Sequence, residues 1–155
     1  MTIIAQGTIA PEFSLQREDG GRFTNADLAG RTVVLVCYPN AFSSVCTDQF
    51  QVYQEALGEM TKDGAEVYGV STDNSASQVA FREQLGVTIP MLSDFEPKGA
   101  AARALGAYFE PAGFTNRALI VFKDGIVAWS WLADNPGVLP GVNLVFDGLA
   151  AAQAA

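Results

Sequence analysis

The chain has no histidine. Ser-His-Asp and Cys-His hydrolases depend on an imidazole base, so both are excluded, and histidine-bearing zinc sites go with them. Only two cysteines, Cys37 and Cys46, occur in 155 residues. They are too few for a cysteine-rich zinc site or a disulfide scaffold. There is no Cys-x-x-Cys pair, which argues against a dithiol oxidoreductase of the thioredoxin type. Positive charge is scarce: 9 Lys and Arg stand against 17 Asp and Glu, a formal net charge of −8. Such a chain repels phosphate backbones, so no nucleic-acid partner is expected. No apolar run approaches the ~20 residues that span a bilayer. Met1–Gly7 has neither a basic n-region nor a long apolar stretch, so neither a membrane partner nor a signal peptide is expected. The expected compartment is a reducing cytoplasm. No repeat or linker interrupts the chain, and only the tail at Ala150–Ala155 is biased in composition. A single domain over residues 1–155 is expected, long enough to bury a real core.

What is present reads as alternating strands and helices. Residues 12–28 alternate loosely about Asp19-Gly20-Gly21, which predicts a β-hairpin and then a helical turn at Asn25–Leu28. Thr32–Tyr38 is almost continuously apolar and rich in β-branched residues, as a central strand buried on both faces must be. Phe50, Tyr53, Leu57 and Met60 fall at spacings of three and four, predicting an amphipathic helix over Cys46–Met60, ended by Lys62-Asp63-Gly64. Further along, Glu66–Ser71 reads as a strand and Ser75–Leu85 as a helix stopped by Gly86. Thr88–Leu92 reads as a short strand, and Pro97–Ala104 as a short helix. Arg117–Phe122 and Ile126–Trp131 read as strands joined at Asp124-Gly125, and Gly141–Ala152 as a C-terminal helix. Two strand–helix–strand units, then an antiparallel hairpin and a last helix, predict an α/β sandwich. Its mixed central sheet is flanked by helices and extended by the N-terminal hairpin.

The two cysteines read differently. Cys46 closes Pro39-Asn40-Ala41-Phe42-Ser43-Ser44-Val45-Cys46, where a strand hands over to a helix. Unpaired N–H groups and the positive dipole end at such a place favour a thiolate, whereas an ordinary thiol near neutral pH is only a few per cent ionised. Cys37 lies inside Val33-Val34-Leu35-Val36-Cys37-Tyr38 with no charged neighbour, so it reads as a small buried hydrophobe. Asp48, in the first helical turn, disfavours a nearby thiolate and is expected to point away. Trp129 and Trp131 share one strand face and are expected to pack.

Pro39, Ser43 and Cys46 fit the motif P-x-x-x-[S/T]-x-x-C, and Arg117 opens the late apolar strand Ala118-Leu119-Ile120-Val121-Phe122. This constellation, carried by a matching order of elements from Pro11-Glu12-Phe13 to the hairpin after Arg117, resembles the peroxiredoxins. The resemblance implies a thioredoxin-like fold and a thiol-dependent peroxidase that needs no cofactor. Cys46 would attack a peroxide and become a sulfenic acid. The Ser43 hydroxyl, the Arg117 guanidinium and backbone N–H groups near Cys46 would hold the peroxide oxygens. Arg117 would also hold the thiolate by charge. Pro39 would shield the sulfur from water, and Gln49 would orient Arg117.

No cysteine follows Cys46, and position 51, where one subgroup carries its resolving cysteine, is Gln51. The chain is therefore similar to one-cysteine peroxiredoxins, and most to the small bacterial group resembling alkyl hydroperoxide reductase E, with Ala41-Phe42-Ser43 and Phe114-Thr115-Asn116-Arg117. The likeness implies an external thiol reductant: a thioredoxin, or a low-molecular-weight thiol followed by a glutaredoxin-like protein. It also implies a homodimer formed at the edge near the active-site loop. The alternative is a redox-sensing interaction module that signals by a mixed disulfide at Cys46.

Overall fold

A computed structural model of the chain describes residues 2–155. The hairpin strands β1 (Ser14–Arg17) and β2 (Arg22–Thr24) come first. They are followed by β3 (Thr32–Cys37), β4 (Glu66–Ser71) and β5 (Met91–Ser93). A small ribbon, β6 (Tyr108–Phe109) with β7 (Phe114–Thr115), precedes the hairpin β8 (Ala118–Lys123) and β9 (Ile126–Leu132). Seven strands form one sheet in the order β2-β1-β5-β4-β3-β8-β9, and the ribbon stands apart. The centre, β3 with β4 and β4 with β5, is parallel, while β1 joins β5 and β8 joins β3 antiparallel. The sheet is mixed, as expected.

Strand β3 explains its own composition. Val33, Leu35 and Cys37 enter one apolar layer; Val34, Val36 and the following Tyr38 enter the other. Both layers exclude water, so from Val33 to Cys37 no position is free to be polar. Four helices cover the sheet: α1 (Ser44–Thr61), α2 (Ser75–Leu85), α3 (Ala100–Leu105) and α4 (Val142–Ala154). Phe50 of α1, Phe81 of α2 and Val145 of α4 belong to the layer of Val34, whereas Ala101 and Leu105 of α3, with Leu28 of the 3-10 turn Asn25–Leu28, belong to that of Leu35. Helix α4 comes close enough to the β8–β9 hairpin that a Cβ on Gly148 would stand 2.6 Å from Val121 and 2.7 Å from the Trp129 ring. Trp129 and Trp131 pack in this layer.

Several boundaries shift for local reasons. Helix α1 begins at Ser44, ahead of the expected Cys46, because Ser43 caps it. The thiol therefore sits inside the first turn. The short helix α3 starts at Ala100 and not at Pro97; Gly99 takes φ 73 before it, and the Asp94 carboxylate accepts from the N–H groups of Ala101 and Ala102. The fifth strand is Met91–Ser93 where Thr88–Leu92 was expected. Strand β8 begins at Ala118, leaving Arg117 at its mouth.

Candidate active site

After β3 the chain must turn from the sheet into α1. Tyr38 still donates to the Val70 carbonyl at 2.9 Å. Pro39 follows, buried, and its fixed φ stiffens the exit. Phe42 takes φ 66, a left-handed conformation rare for a bulky residue. Ser43 then returns to extended backbone, and its Oγ accepts from the Cys46 N–H at 3.3 Å. This is an N-cap contact to the third helical residue. It occupies the N–H of Cys46 itself and leaves the Ser43 hydroxyl proton free to donate elsewhere. The Asp73 carboxylate ties the loop to the end of β4: it accepts from Ala41 N–H at 2.7 Å and from the Ser71 hydroxyl at 2.8 Å.

Arg117 arrives from 71 residues away in sequence. It is 2% exposed, and Cys46 is 0% exposed. Its guanidinium donates from Nη2 to Cys46 Sγ at 3.2 Å, from Nη1 to Gln49 Oε1 at 2.8 Å and from Nε to the Pro136 carbonyl at 2.6 Å. Its backbone is pinned as well. Asn116 Oδ1 accepts from Arg117 N–H, Asn116 Nδ2 donates to the Ala133 carbonyl, and Ala133 N–H donates to the Arg117 carbonyl. A buried cation needs a counter-charge. These three contacts are with a sulfur, an amide oxygen and a main-chain carbonyl, and of them only the sulfur can carry a full negative charge.

The structure thus brings Cys46, Ser43, Gln49 and Arg117 together and puts Pro39 in the same connection. Asp48 is exposed, turned away as expected, but because α1 starts at Ser44 it lies beyond the first turn where it was expected. Three contributors were not singled out from the sequence. Asn116 pins Arg117, and the Pro136 carbonyl orients it. The Tyr53 hydroxyl, read only as part of an apolar stripe, donates to the Pro140 carbonyl at 2.8 Å. Burial pushes the Tyr53 phenol up to about 12, against a downward pull from the Gln49 side chain and the Arg117 charge. Cys37 lies on the opposite face of the sheet from Cys46, and both cysteines are free thiols. Burial, with Asp94 adding to it, pushes the Cys37 thiol up to about 12.

A recess of about 320 Å³, lined by Met60, Lys62, Phe146 and Leu149 among others, shares no residue with this site. Among the described residues, no group of three or more His, Cys, Asp or Glu is placed to hold a metal ion. Also among the described residues, no helix is long and apolar enough to cross a membrane.

A buried helix-N-terminal cysteine against a guanidinium, on a thioredoxin-like sheet with an added N-terminal hairpin, defines a thiol-redox protein of the peroxiredoxin class. The AhpC/TSA family model matches residues 6–130, and the chain belongs to that family. Alkyl hydroperoxide reductase E of Mycobacterium tuberculosis is 31% identical over 150 residues, spanning 96% of this chain and 97% of that protein. A chloroplastic peroxiredoxin Q of Suaeda salsa is 32% identical over 91 residues, 59% of this chain and 42% of that one. Among solved structures, Enterococcus faecalis AhpC superposes with a TM-score of 0.82 at 26% identity, covering 99% of this chain and 94% of that one. Mycobacterium tuberculosis AhpC, at 20% identity and a TM-score of 0.83 over 99% of this chain and 95% of that one, adds support for the fold.

Proposed function

We propose that Cys46 carries the thiol-dependent peroxidase activity of this chain, with Arg117, Ser43 and Pro39 as its working surroundings. The protein takes a peroxide and a thiol reductant. The Cys46 thiolate attacks one oxygen of R–O–O–H along the O–O axis. The S–O bond forms as the O–O bond breaks, the sulfur is oxidised to a sulfenic acid, and R–O⁻ leaves and takes a proton to become water or an alcohol. Charge moves from sulfur to the departing oxygen during this step. Arg117 Nη2 and the Ser43 hydroxyl are fixed donors at the place where that charge moves, and such donors stabilise a transition state most in a water-excluded site. The Arg117 fork serves sulfur and oxygen together, which a single ammonium does less well. Pro39 offers no N–H, so its part is steric.

The observation that carries this reading is the 3.2 Å contact from Arg117 Nη2 to Cys46 Sγ in a buried setting. The reductant is external. Cys37 is the one other cysteine in the sequence, and it lies in the apolar layer across the sheet from Cys46. A reductant thiol condenses with the sulfenic acid, releasing water and leaving a mixed disulfide; a second thiol then frees Cys46. A thioredoxin, or a low-molecular-weight thiol followed by a glutaredoxin-like protein, would serve, in a reducing cytoplasm and with the protein as a homodimer. The redox-sensing module, the other reading of Cys46, is not favoured by the relatives.

The test replaces Cys46 by Ser and follows peroxide consumption with a thiol reductant present. Turnover is expected to vanish. Mass spectrometry of the wild-type protein after one equivalent of peroxide should find a single added oxygen on Cys46 without an intramolecular disulfide. Fast turnover by the Cys46→Ser protein would refute the assignment.

A further inference from the structure

Tyr53 carries a polar group that its apolar layer does not require. The side chain is 1% exposed and packs edge-on against Phe50 at 6.5 Å between ring centroids. A phenylalanine ring would fill that role. A buried hydroxyl is tolerated only when it is hydrogen-bonded, and this one reaches across 87 residues of sequence to the Pro140 carbonyl.

Pro140 closes the segment Ala133–Pro140, and that segment belongs to Arg117. Ala133 N–H donates to the Arg117 carbonyl at 2.9 Å, and the Pro136 carbonyl accepts from Arg117 Nε at 2.6 Å. Between Pro136 and Pro140 the chain is exposed, with Val138 at 38% and Leu139 at 41%. Its local order comes from a turn in which Val138 N–H donates to the Asn135 carbonyl. On α1, Gln49 precedes Tyr53 by one helical turn and shares its face. Gln49 holds Nη1 directly. Helix α1 therefore reaches the guanidinium along two routes: from Gln49 without an intermediary, and from Tyr53 by way of Pro140 and Pro136.

We propose that Tyr53 is a positioning residue for Arg117: its hydroxyl, through the Pro140 carbonyl, holds the segment whose Pro136 carbonyl aims the guanidinium at Cys46. The inference rests on the peroxidase reading above. Tyr53 touches neither sulfur nor peroxide, so its whole effect passes through Arg117.

The test is a double-mutant cycle read by stopped-flow oxidation of Cys46 with hydrogen peroxide. Tyr53→Phe keeps the ring and deletes the hydrogen bond. In the wild-type background it should slow oxidation about three- to tenfold, the range one hydrogen bond covers. In the Arg117→Ala background it should change nothing, because the group it positions is gone. A merely structural tyrosine would slow both backgrounds equally. A glycine inserted between Val138 and Leu139 loosens the same segment at exposed positions without touching Tyr53. It should reproduce the slowing and lose it beside Arg117→Ala, which keeps the test open if Tyr53→Phe folds poorly. Equal slowing in both backgrounds, or rates within about twofold of wild type for both changes, would overturn the proposal. A wild-type rate no faster than free cysteine would instead remove the peroxidase reading and this inference together.

Discussion

Two cysteines share one strand–helix unit and almost the same exposure, 1% for Cys37 and 0% for Cys46, yet their surroundings are opposite. Cys37 lies with Leu35, Val70 and Leu92 in one apolar layer, and burial and the Asp94 charge both act against its ionised form. Cys46 occupies the first turn of α1 with a guanidinium donor at 3.2 Å. Burial without a partner makes a thiol inert, because the charged form loses its water and gains nothing. Burial with a fixed cation strengthens every interaction the charge makes, because the local dielectric is low. Accessibility therefore does not separate the sulfur proposed to react from the other one. The donor set does.

Removing that donor set is the hardest blow to the contrast. Arg117→Ala should slow peroxide oxidation of Cys46 by about a hundred- to a thousandfold, as the loss of a preorganised donor does elsewhere. Arg117→Lys should fall between, since an ammonium restores the charge but not the fork that meets Cys46, Gln49 and Pro136 together. Single-turnover kinetics on folded protein measure both. A lysine variant as fast as wild type would mean that charge alone distinguishes Cys46 from Cys37, and the geometry would lose its role.

Ser43→Ala is a milder cut at the same site. It deletes the cap on Cys46 N–H and the hydroxyl proton left free beside it. The cap is worth about 1 kcal/mol of stability. The lost donor should slow oxidation about ten- to a hundredfold, the range of a hydrogen bond to a charged group. Ser43→Thr keeps both functions and should recover most of the loss. A rate unchanged in Ser43→Ala, with the expected fall in denaturation midpoint, would leave Ser43 as a cap alone.

How much of this could be read from the chain depends on where each signal resides. Helix α2 is bounded as its residues predict, because its signals are local: Asn74 accepts from Ser77 N–H at one end and Gly86 takes φ 67 at the other. Strand β3 was legible because burial on both faces forbids polar residues along it. The start of α1 was displaced because the period of Phe50, Tyr53 and Met60 locates a buried face and not a first turn; the Ser43 cap fixes that. Ribbon β6–β7 has two residues per strand, too few for any alternation to register. In the site, Cys46, Ser43, Pro39 and Arg117 were legible as a motif, and Gln49 by its place one turn on. The Pro136 and Pro140 carbonyls were not, since every residue has a carbonyl and only the tertiary fold says which one a guanidinium meets. Tyr53 hid for a related reason: at helical spacing among apolar residues it reads as a ring, and its hydroxyl gains meaning only from a segment far along the chain.

The gentlest test probes the inert partner of the pair. Cys37→Ala leaves a small cavity in a packed layer and should lower stability by about 1 kcal/mol at neutral pH. It should also leave Cys46 oxidation within about twofold of wild type, because the sheet separates the two sulfurs. The pH dependence follows from the thiol's folded value, raised from an ordinary 9.0 to about 12 mainly by burial. Unfolded chains ionise this thiol first, so the stability it contributes is fully present below pH 9.0 and is lost as pH climbs through about 12. The alanine variant has nothing to ionise there. Denaturation midpoints of the two proteins should run parallel up to that lower value, converge above it and then cross, because each further pH unit costs the wild type about 1.4 kcal/mol. A gap that stays constant throughout would show Cys37 ionising as freely in the fold as in the open chain. The two cysteines would then differ in reactivity for some reason other than what surrounds them.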